Sequence, residues 1–410
     1  MKAQTCPFGM IMTSCLGKML DKAKNQGKPR RYLRNINVRW FGFDLSDVQE
    51  MRVADDEVER YSIRKGDLVV CEGGEPGRCA IWCDEENVCF QKALHRVRFN
   101  EASDPRFYMY YLWMLAKSGM LAAYYTGTGI KHLTGESLKK LPVPVPPLPE
   151  QKRIVARIEE LFSELDNGVE TLKKTKQQLA VYRQAVLKAA FKGLDTFVAL
   201  GSVAERVFDG PFGTHLKTAD YVSEGIRVVR LENIKNARFD DSKQSFISKE
   251  KYETIKAHTV VPTDLIMSTF IADSIKVCQL PSYVSFAVNK SDCVGIRLKG
   301  CISQKFTLFY LSSREAYEKL FYQVHGATRP RVNTKQIKAI KIPFVPYNEQ
   351  LSIVSEIESR LSICNGIEKS VDVAMRQTES MRQSILKKAF EGALGKKRRH
   401  HVTNNYGAHE

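Results

Sequence analysis

The second half of this chain repeats the first half at a spacing of 199 residues. Residues 148–155 are echoed by residues 347–354, and the same spacing still holds where residues 183–193 lie over residues 382–392. A repeat that keeps its register over this distance is typical of a duplicated architecture. We therefore predict a globular domain and a long segment, followed by a second globular domain and a second long segment.

The two long segments are predicted to be helices. Proline is absent between Glu150 and Gly193, and apolar residues recur at steps of three, four or seven, which keeps one face of a helix apolar. Each helix would be about 65 Å long. The predicted apolar stripe consists of Ile154, Ile158, Leu161, Leu165, Leu172, Leu179 and Val186 in the first helix, and of Ile353, Ile357, Leu361, Ile367, Val371, Met381 and Ile385 in the second.

The apolar stripes also predict how the helices are covered. An amphipathic helix of this length has too small a core beneath it to be stable alone. Two copies in one chain can cover each other's stripe, as an antiparallel coiled coil if the globular domains lie at opposite ends. The alternative is that each helix packs only on its own domain. The stripe runs well past the size of one small domain, which favours the coiled coil.

The globular domains are predicted to mix strands and helices, so that the fold class is α+β. Two mixed α/β domains would be joined by two long helices in an internal pseudo-twofold repeat. Strand composition marks residues 31–36, 67–71, 227–230, 264–267, 141–145 and 340–345, and helices are predicted at residues 107–121 and 305–321. The predicted boundaries are 1–148 (first domain), 149–194 (central helix), 195–348 (second domain), 349–394 (C-terminal helix) and 395–410 (a basic, disordered tail).

Catalytic and metal-binding patterns are missing from the sequence. It contains no P-loop, H-E-x-x-H or G-x-S-x-G pattern, and the glycine run at residues 73–77 is interpreted as a turn. The ten cysteines lie mostly beside apolar neighbours and are predicted to be reduced, buried thiols. A zinc site at Cys79, Cys83, Cys89 and His95 is the less favoured alternative. We therefore predict no active site, metal or cofactor in this chain.

The charge of the chain points to the kind of partner. The formal charge is +17, and basic residues exceed acidic ones in both globular segments. This favours a polyanion, nucleic acid first and a membrane surface second, over a charge that serves solubility alone. The sequence has neither a signal peptide nor an apolar run long enough for a membrane span, which predicts a cytoplasmic protein.

Two kinds of segment are candidate DNA contacts. A basic stretch interleaved with Asn35, Asn37 and Trp40 offers side chains that read base edges or hold phosphates, although a solvated surface is the alternative. The glycine loop before each proline strand holds different residues in its two copies, so each copy would read a different sequence. The candidates are Lys18, Lys22, Lys24, Lys28, Arg30, Arg31, Arg34, Arg39, Lys131 and His132 in the first domain, and Lys217, Arg227, Arg230, Arg329 and Arg331 in the second.

These features resemble the specificity subunits of type I restriction-modification enzymes. The resemblance covers residues 11–394 and rests on Glu-Gln after each proline strand, on the helix endings at 189–193 and 388–392, and on the duplicated layout. It implies a non-catalytic subunit in which each globular domain is a target recognition domain for one half of a split DNA site. The helices would set the spacer. The implied partners are modification subunits, two of them, which bind S-adenosylmethionine and methylate adenine, and ATP-dependent restriction subunits.

One departure from the family concerns the first domain. Residues 200–203 of the second repeat match the usual opening strand, whereas residues 1–14 match it poorly. The first domain is therefore expected to be clipped at its N-terminus.

Two rival functions remain open. A fused methyltransferase or nuclease would need an N-P-P-Y-type motif or a cluster of two acids and a lysine, and neither is legible in the sequence. A coiled-coil scaffold, or an inactive paralogue without sequence-specific DNA binding, is the second alternative. Binding to DNA and its dependence on salt would separate this alternative from a DNA reader.

Overall fold

The computed structural model describes residues 4–322, except 22 and 24, and residues 330–392. The chain divides into two compact units. Unit 1 comprises residues 1–172 and 373–410, and unit 2 comprises residues 173–372. The predicted tail at 395–410 lies outside the described residues.

Unit 1 is built on two four-stranded sheets. Its strands are β1 (Thr5–Pro7), β2 (Met12–Leu16), β3 (Lys28–Leu33), β4 (Val38–Arg39), β5 (Gly42–Phe43), β6 (Gln49–Val53), β7 (Ser62–Ile63), β8 (Leu68–Cys71), β9 (Cys79–Ile81), β10 (Val88–Phe90), β11 (Leu94–Phe99) and β12 (Pro142–Pro144). The sheets have the orders β6-β3-β10-β7 and β2-β11-β8-β9, and β1 pairs with β12 and β4 with β5. The helices are α1 (Val58–Tyr61), α2 (Pro105–Lys117), α3 (Gly135–Lys140) and the first half of α4 (Leu148–Ala190). Residues 373–390, the second half of the C-terminal long helix, also belong to unit 1.

Unit 2 repeats this topology with one additional edge strand, β15 (Tyr221–Val222). Its strands are β13 (Phe197–Ala199), β14 (Ala204–Phe208), β15 (Tyr221–Val222), β16 (Ile226–Val229), β17 (Ile234–Lys235), β18 (Arg238–Phe239), β19 (Phe246–Ile247), β20 (Thr259–Val260), β21 (Leu265–Ser268), β22 (Val277–Gln279), β23 (Ala287–Asn289), β24 (Cys293–Leu298) and β25 (Lys341–Pro343). The sheets have the orders β14-β24-β21-β22 and β15-β19-β16-β23-β20, with the pairs β13 with β25 and β17 with β18. The helices are the second half of α4, α5 (Leu200–Val203), α6 (Lys249–Ile255), α7 (Gln304–Leu311), α8 (Arg314–Phe321), α9 (Thr334–Ala339) and the first half of α10 (Tyr347–Phe390).

Both predicted domain helices are shorter than expected because local caps interrupt them. In unit 2 the Ser313 side chain accepts a hydrogen bond from the amide of Ala316, which starts α8 just after α7 ends at Leu311. In unit 1, α2 ends at Lys117, and Gly119 follows with a left-handed φ of 76°. The prediction of one continuous helix at 305–321 was therefore wrong, and the helix predicted at 107–121 ends early.

Residues 200–203, expected to be the family's opening strand, instead form the short helix α5, and the strand lies just before it as β13. The first domain has an equivalent strand, β1. β1 pairs antiparallel with β12, as β13 pairs with β25 in unit 2. The turn after each strand is also shared, since Gly9 lies against Lys139 and Gly201 lies against Lys338. The spacing of this element differs from that of the long repeat, so the expectation of a poor match at residues 1–14 is corrected on this point.

The two long helices, α4 and α10, confirm the prediction of helices in these segments. Each is followed by a predicted stop, because Gly193 and Gly392 have left-handed φ angles of 82° and 75°. Ring contacts tie each helix end to a domain. In unit 1, the ring of Phe390 lies 5.1 Å from that of Phe107, and in unit 2, Phe191 lies 5.3 Å from Phe306. Each domain core therefore includes the start of the helix that follows it and the end of the other long helix.

Most positions of the predicted apolar stripe are covered in the structure. Ile154, Ile158, Val186, Ile357 and Val371 are buried. The others on the covered side are half-buried: Leu161, Leu165, Leu172, Leu179, Ile353, Leu361 and Ile385.

Ile367 and Met381 were wrongly assigned to the stripe, since 42% and 51% of their surfaces are exposed. The adjacent positions, Glu368 and Arg382, continue the alternating three- and four-residue spacing of the covered positions of α10. Both reach the facing helix through ion pairs. Glu368 lies 2.9 Å from Arg183 within unit 2, and Arg382 pairs with Asp166 within unit 1. A pattern of apolar residues alone does not identify covered positions of the helix that hold charged side chains.

The glutamine of the repeated Glu-Gln motif joins each long helix to its domain. Gln151 is 1% exposed; its Oε1 accepts from the amide of Asp104 at 2.8 Å, and its Nε2 donates to the carbonyls of Ala102 and Pro146 at 3.1 and 2.8 Å. Gln350 makes the equivalent three hydrogen bonds in unit 2. The motif thus has a structural role, because it satisfies buried backbone groups where strand and helix meet.

We expect the substitution Gln151→Leu to lower the free energy of unfolding of unit 1 by about 2 to 4 kcal/mol, since three buried backbone groups lose their partner. The chain has three tryptophans, Trp40, Trp82 and Trp113, all in unit 1, so their fluorescence in a urea titration reports on this unit. Gln383→Leu, at an exposed position of α10 in the same unit, is the matched control. Equal urea midpoints for the two variants would contradict the assigned role.

Candidate nucleic-acid interface

The basic stretch of unit 1 is neutralised by acids that come later in the chain. Lys28 and Arg30 belong to β3, which pairs antiparallel with β6 and so lies beside the acidic residues around β6. The resulting ion pairs are Lys18 with Glu57 at 2.7 Å, Lys28 and Arg30 with Asp55 at 3.5 and 2.7 Å, Arg34 with Asp47 at 2.6 Å, and Arg39 with Asp44 at 3.2 Å. Arg30 lowers the pKa of Asp55, which keeps this carboxylate charged. These cations are therefore already paired within unit 1.

Arg31 differs from its neighbours. It lies opposite Glu50 in the strand register, its side chain is exposed, and it makes no ion pair within the described part of the chain. Lys22 and Lys24, predicted from the same stretch, lie outside the described residues.

The predicted glycine loop of unit 1 meets two other loops. We call residues 34–41, 72–78 and 126–132 loop cluster 1. Thr126 and His132 exchange two backbone hydrogen bonds of 2.8 and 3.0 Å. The amide of the next residue, Leu133, donates to the backbone carbonyl of Glu72 at 2.7 Å. Lys131 is exposed, and its Nζ donates to the Gly127 carbonyl at 2.9 Å. The segment 126–132 is thereby held against the loop after β8.

The glycine run at 73–77 is a turn, as predicted, and it makes room for the neighbouring side chains. A Cβ on Gly74 would lie 2.8 Å from the Asn35 amide nitrogen, and a Cβ on Gly73 would lie 3.2 Å from Nδ1 of His132. Glu75 accepts a hydrogen bond from the Trp40 indole at 2.8 Å. Loop cluster 1 thus brings Asn35 and His132 against the same short turn.

Unit 2 has an equivalent loop cluster with different side chains. We call residues 269–275 and 330–332, with Asp292, loop cluster 2. The amide of Val332 donates to the backbone carbonyl of Thr269 at 2.9 Å, and the amide of Thr269 donates to the backbone carbonyl of Asp292 at 2.9 Å. Arg331, at the position of His132 in the repeat, pairs with Asp292, and its guanidinium lies 5.6 Å from the ring centre of Phe270. Equivalent frames therefore carry different hydrogen-bonding groups.

The other predicted contacts of unit 2 belong to segments outside the residues that define loop cluster 2. Arg227 is 7% exposed, pairs with Asp241, and lies within 6.0 Å of the rings of Phe239 and Phe246. A surface role for it is corrected, because its guanidinium is used inside the unit. Arg230 is half-buried and lies 3.5 Å from Glu232, whereas the Lys217 side chain is exposed. Arg329 lies outside the described residues.

Sequence reasoning overrated one residue type and missed another. Asn37, taken as a possible base reader, is buried; its amide accepts from Arg34 and donates to the carbonyls of Asp44 and Asp47. Asp292 was missed because an isolated acid in a basic segment gives no signal. The one available hint is local, since Asp292 has a left-handed φ of 71°, which aspartate tolerates better than most residues.

A buried histidine contacts the residue that directly follows loop cluster 1 in the chain. His95 is 2% exposed, and its Nε2 lies 3.1 Å from the Leu133 carbonyl oxygen. Burial lowers the pKa of His95, so the folded protein holds this ring neutral. The unfolded chain takes up a proton near pH 6.5, which means that the stability of unit 1 falls as the pH drops through that value.

We expect the urea midpoint of unit 1, followed by tryptophan fluorescence, to be lower at pH 5.5 than at pH 7.5. His95→Val introduces the residue that unit 2 has at the equivalent position, Val294, and should reduce this difference because no imidazole remains to be protonated. If the variant kept the full pH dependence, the assignment to His95 would be wrong.

The described residues match neither the pattern of a metal site nor that of a membrane-spanning helix. They contain no group of three or more His, Cys, Asp or Glu side chains placed to hold a metal ion. Cys71, Cys79, Cys89, Cys278, Cys293 and Cys364 are buried, and Cys83 and Cys301 are exposed. Within the same residues, no helix is long and apolar enough to cross a membrane.

Two units of one topology, each with its own polar loop cluster, define a duplicated recognition protein. The family model of the type I restriction modification DNA specificity domain matches residues 15–180 and 200–372, and the chain belongs to this family. It is a specificity subunit of a type I restriction-modification system, the non-catalytic subunit that recognises DNA sequence.

Relatives agree with this assignment, and solved structures show a similar fold. The chain is 25% identical over 363 residues to the specificity subunit of the type I restriction enzyme EcoBI of Escherichia coli, which covers 82% of this chain and 75% of the relative. Its fold is similar to that of a chain solved in a study of complex assembly and conformational transition of the type I R-M system (TM-score 0.71, 17% identity, 95% and 98% covered). It is also similar to the HsdS subunit from Thermoanaerobacter tengcongensis (TM-score 0.53, 19% identity, 96% and 97% covered).

Proposed function

We propose that each unit reads one half of a bipartite DNA site through its loop cluster. The observation that carries this proposal is the contrast between equivalent positions. Loop cluster 1 offers His132 and Asn35 against the same short turn, and loop cluster 2 offers Arg331 paired with Asp292. Because sequence is read by side chains on base edges, different groups on equivalent frames would select different half-sites. The recognition domains would be residues 1–148 and 195–348.

The proposed DNA contacts are the predicted residues whose polar heads remain available. Arg31, Lys131 and Lys217 are exposed and make no ion pair with a carboxylate among the described residues, which suits them to hold phosphates. His132 lies in loop cluster 1 and would face bases. Arg331 of loop cluster 2 is paired with Asp292, but 56% of its side chain is exposed, so its remaining N–H groups would be available to bases. The ion-paired Lys18, Arg34 and Arg39 would contact DNA only by giving up their carboxylates, and are weaker candidates.

The long helices, residues 149–194 and 349–394, would form an antiparallel coiled coil that sets the spacer between half-sites. Contacts within unit 2 support opposite directions: Lys176 lies 2.9 Å from Asp372, whereas Arg183, further along α4, lies 2.9 Å from the earlier Glu368. A helix of 43 residues extends about 65 Å, which corresponds to roughly two turns of DNA.

The helices and domains would also dock the other subunits of the system. Two modification subunits, which would carry S-adenosylmethionine and methylate adenine, would bind here, and ATP-dependent restriction subunits would join them. No cofactor is proposed for this chain itself. Its role would be to place the methyltransferase on the selected adenines.

A scaffold without sequence-specific DNA binding is the second candidate. It is favoured by the ion pairs around β3, because cations that already hold carboxylates add little to phosphate binding. Such a protein would still assemble with modification subunits through its helices.

Salt dependence of DNA binding separates the two candidates. For the complex of this chain with its modification subunits, we expect log K to fall linearly with log salt, as counterions are released from contacted phosphates. Replacing Lys131 and Lys217 together by alanine should reduce that slope by about 2, one for each phosphate contact. Lys256→Ala removes an exposed lysine that is paired with Glu253, and serves as the control. A flat response to salt would support the scaffold instead.

A further inference from the structure

The two units differ in how they fill the space between the domain hairpin and the long helices. In unit 1 the turn of the β4–β5 hairpin places Trp40 and Phe41 in a continuous group of aromatic rings. Phe41 lies 4.8 Å from Trp113 of α2, which lies 5.6 Å from Phe162 of α4. The guanidinium of Arg382 lies 5.1 Å from the centre of the Phe162 ring. The rings therefore fill unit 1 from the hairpin to the long helices.

In unit 2 small or aliphatic residues occupy the equivalent positions. Asn236 and Ala237 replace the two hairpin aromatics, Ser312 replaces Trp113, and Leu361 replaces Phe162. These residues line a cleft of about 850 Å³, which we call the unit 2 cleft. Its volume falls within the range of ligand-binding sites in proteins.

The backbone around the unit 2 cleft keeps the geometry of unit 1. Phe41 and Ala237 both have left-handed φ angles, 68° and 54°. Their amides donate to equivalent carbonyls, of Cys79 at 3.2 Å and of Val277 at 2.9 Å. The cleft is therefore a consequence of side-chain replacement on a conserved frame, not of a displaced hairpin.

Hydrogen bonds satisfy polar groups at the base of the cleft, and a guanidinium that is ion-paired with Glu368 lies along its wall. Gln184 and Asn236 donate to the Ser312 carbonyl at 3.2 and 3.4 Å, and the amide of Arg314 donates to Gln184 at 2.9 Å. Arg183, equivalent to the Arg382 that lies over a ring in unit 1, also lines the cleft. A guanidinium in this position would be suited to an aromatic ring as a partner.

We propose that the unit 2 cleft receives a segment of a modification subunit that carries two adjacent aromatic side chains. The unit 1 filling indicates the occupant: the same frame takes a Trp-Phe pair when the chain supplies one. This proposal rests on the proposed function, since it assumes that partner. Unit 1 is already filled by its own aromatics, so the two partner sites would be unequal and one modification subunit would bind more tightly than the other.

A peptide with the sequence of residues 39–42, Arg-Trp-Phe-Gly, capped at both ends, is the first probe. We expect it to bind the full chain saturably at one site, with a dissociation constant below about 1 mM. The double variant Ala237→Phe/Ser312→Trp copies the unit 1 residues and should weaken peptide binding by at least about tenfold. Ser282→Trp, at an exposed position of unit 2 outside the cleft lining, is the control for an added tryptophan.

The second measurement is the stoichiometry of the complex with the modification subunit, by native mass spectrometry over a concentration series. We expect the control Ser282→Trp to bind two copies, and the double variant to bind its first, tighter copy about tenfold more weakly. Circular dichroism confirms that each variant is folded. If the double variant does not fold, Ala237→Phe alone narrows the cleft and should weaken both interactions in the same direction.

The proposal would be overturned if Ala237→Phe/Ser312→Trp and the control Ser282→Trp bound the peptide with equal affinity and also bound the modification subunit with equal affinity. Failure of the proposed function would be recognised separately, because the peptide titration contains no DNA. A chain that binds the peptide in the cleft but shows no salt-dependent DNA binding would retain the docking site and lose only the role as a DNA reader.

Discussion

A chimera that carries residues 204–339 from another type I specificity subunit is expected to change one half of the methylated DNA sequence and to keep the other half. The junctions lie before β14 and after α9, so the β13–β25 pair, Gln350 and Phe191 stay in place and still attach the domain to the long helices. Methylation at the original site should fall from near completion to background. Single-molecule sequencing of host DNA, after expression with the modification subunit, measures the exchange.

A control for this chimera can be made from the chain itself. Replacing residues 204–339 by residues 12–140 would place the first recognition domain in both positions. The methylated site should then consist of two identical half-sites in inverted orientation, at the original spacing. A methylated sequence that stays unchanged in either chimera would show that reading does not reside in these domains.

The substitution Asp264→Leu is expected to lower the free energy of unfolding of unit 2 by about 3 to 5 kcal/mol. Asp264 is fully buried, and its two oxygens accept hydrogen bonds of 2.8 Å from Arg297 and one of 2.9 Å from the amide of Val261. Removing the carboxylate leaves a partly buried guanidinium without its counterion. This is a large fraction of the 5 to 15 kcal/mol that stabilises a typical domain.

The readouts for this variant separate the two units. Circular dichroism in urea should show an early transition, while tryptophan fluorescence, which reports on unit 1, should keep its wild-type midpoint. Asp195→Leu removes an exposed carboxylate of the same unit and is the control. The double variant Asp264→Leu/Arg297→Met should recover much of the loss, since an apolar pair leaves no buried charge unpaired. A loss as large in the control would point to a general charge effect.

The architecture was predictable from the sequence because it depends on long-range periodicity. Duplication and the helix stops at Gly193 and Gly392 are properties of spacing, and spacing survives divergence of individual residues. The division into units was not predictable. A helix pattern shows which face is covered, but it does not show that the start of α4 and the end of α10 complete the core of the same domain.

The candidate interface was predicted less well, for electrostatic reasons. Lys28 and Arg30 stand in a locally basic segment, yet strand pairing brings Asp55 beside them. A count of charges along the chain cannot include partners that only the sheet register supplies. The glycine loops stay a prediction: the repeat itself marks them as equivalent and their differing residues, His132 and Arg331, as the variable part.

The discontinuous composition of unit 1 has a consequence for folding during synthesis. Residues 173–372 of unit 2 are contiguous. The whole core of unit 2 is therefore outside the ribosome as soon as residue 372 has emerged from the exit tunnel. The core of unit 1 still lacks Leu386 and Ala389 at that point, although its first 172 residues were made earlier. Closing that contact links residues more than 200 positions apart and carries the entropic cost of a long loop. The N-terminal unit should therefore be the last to reach its native core.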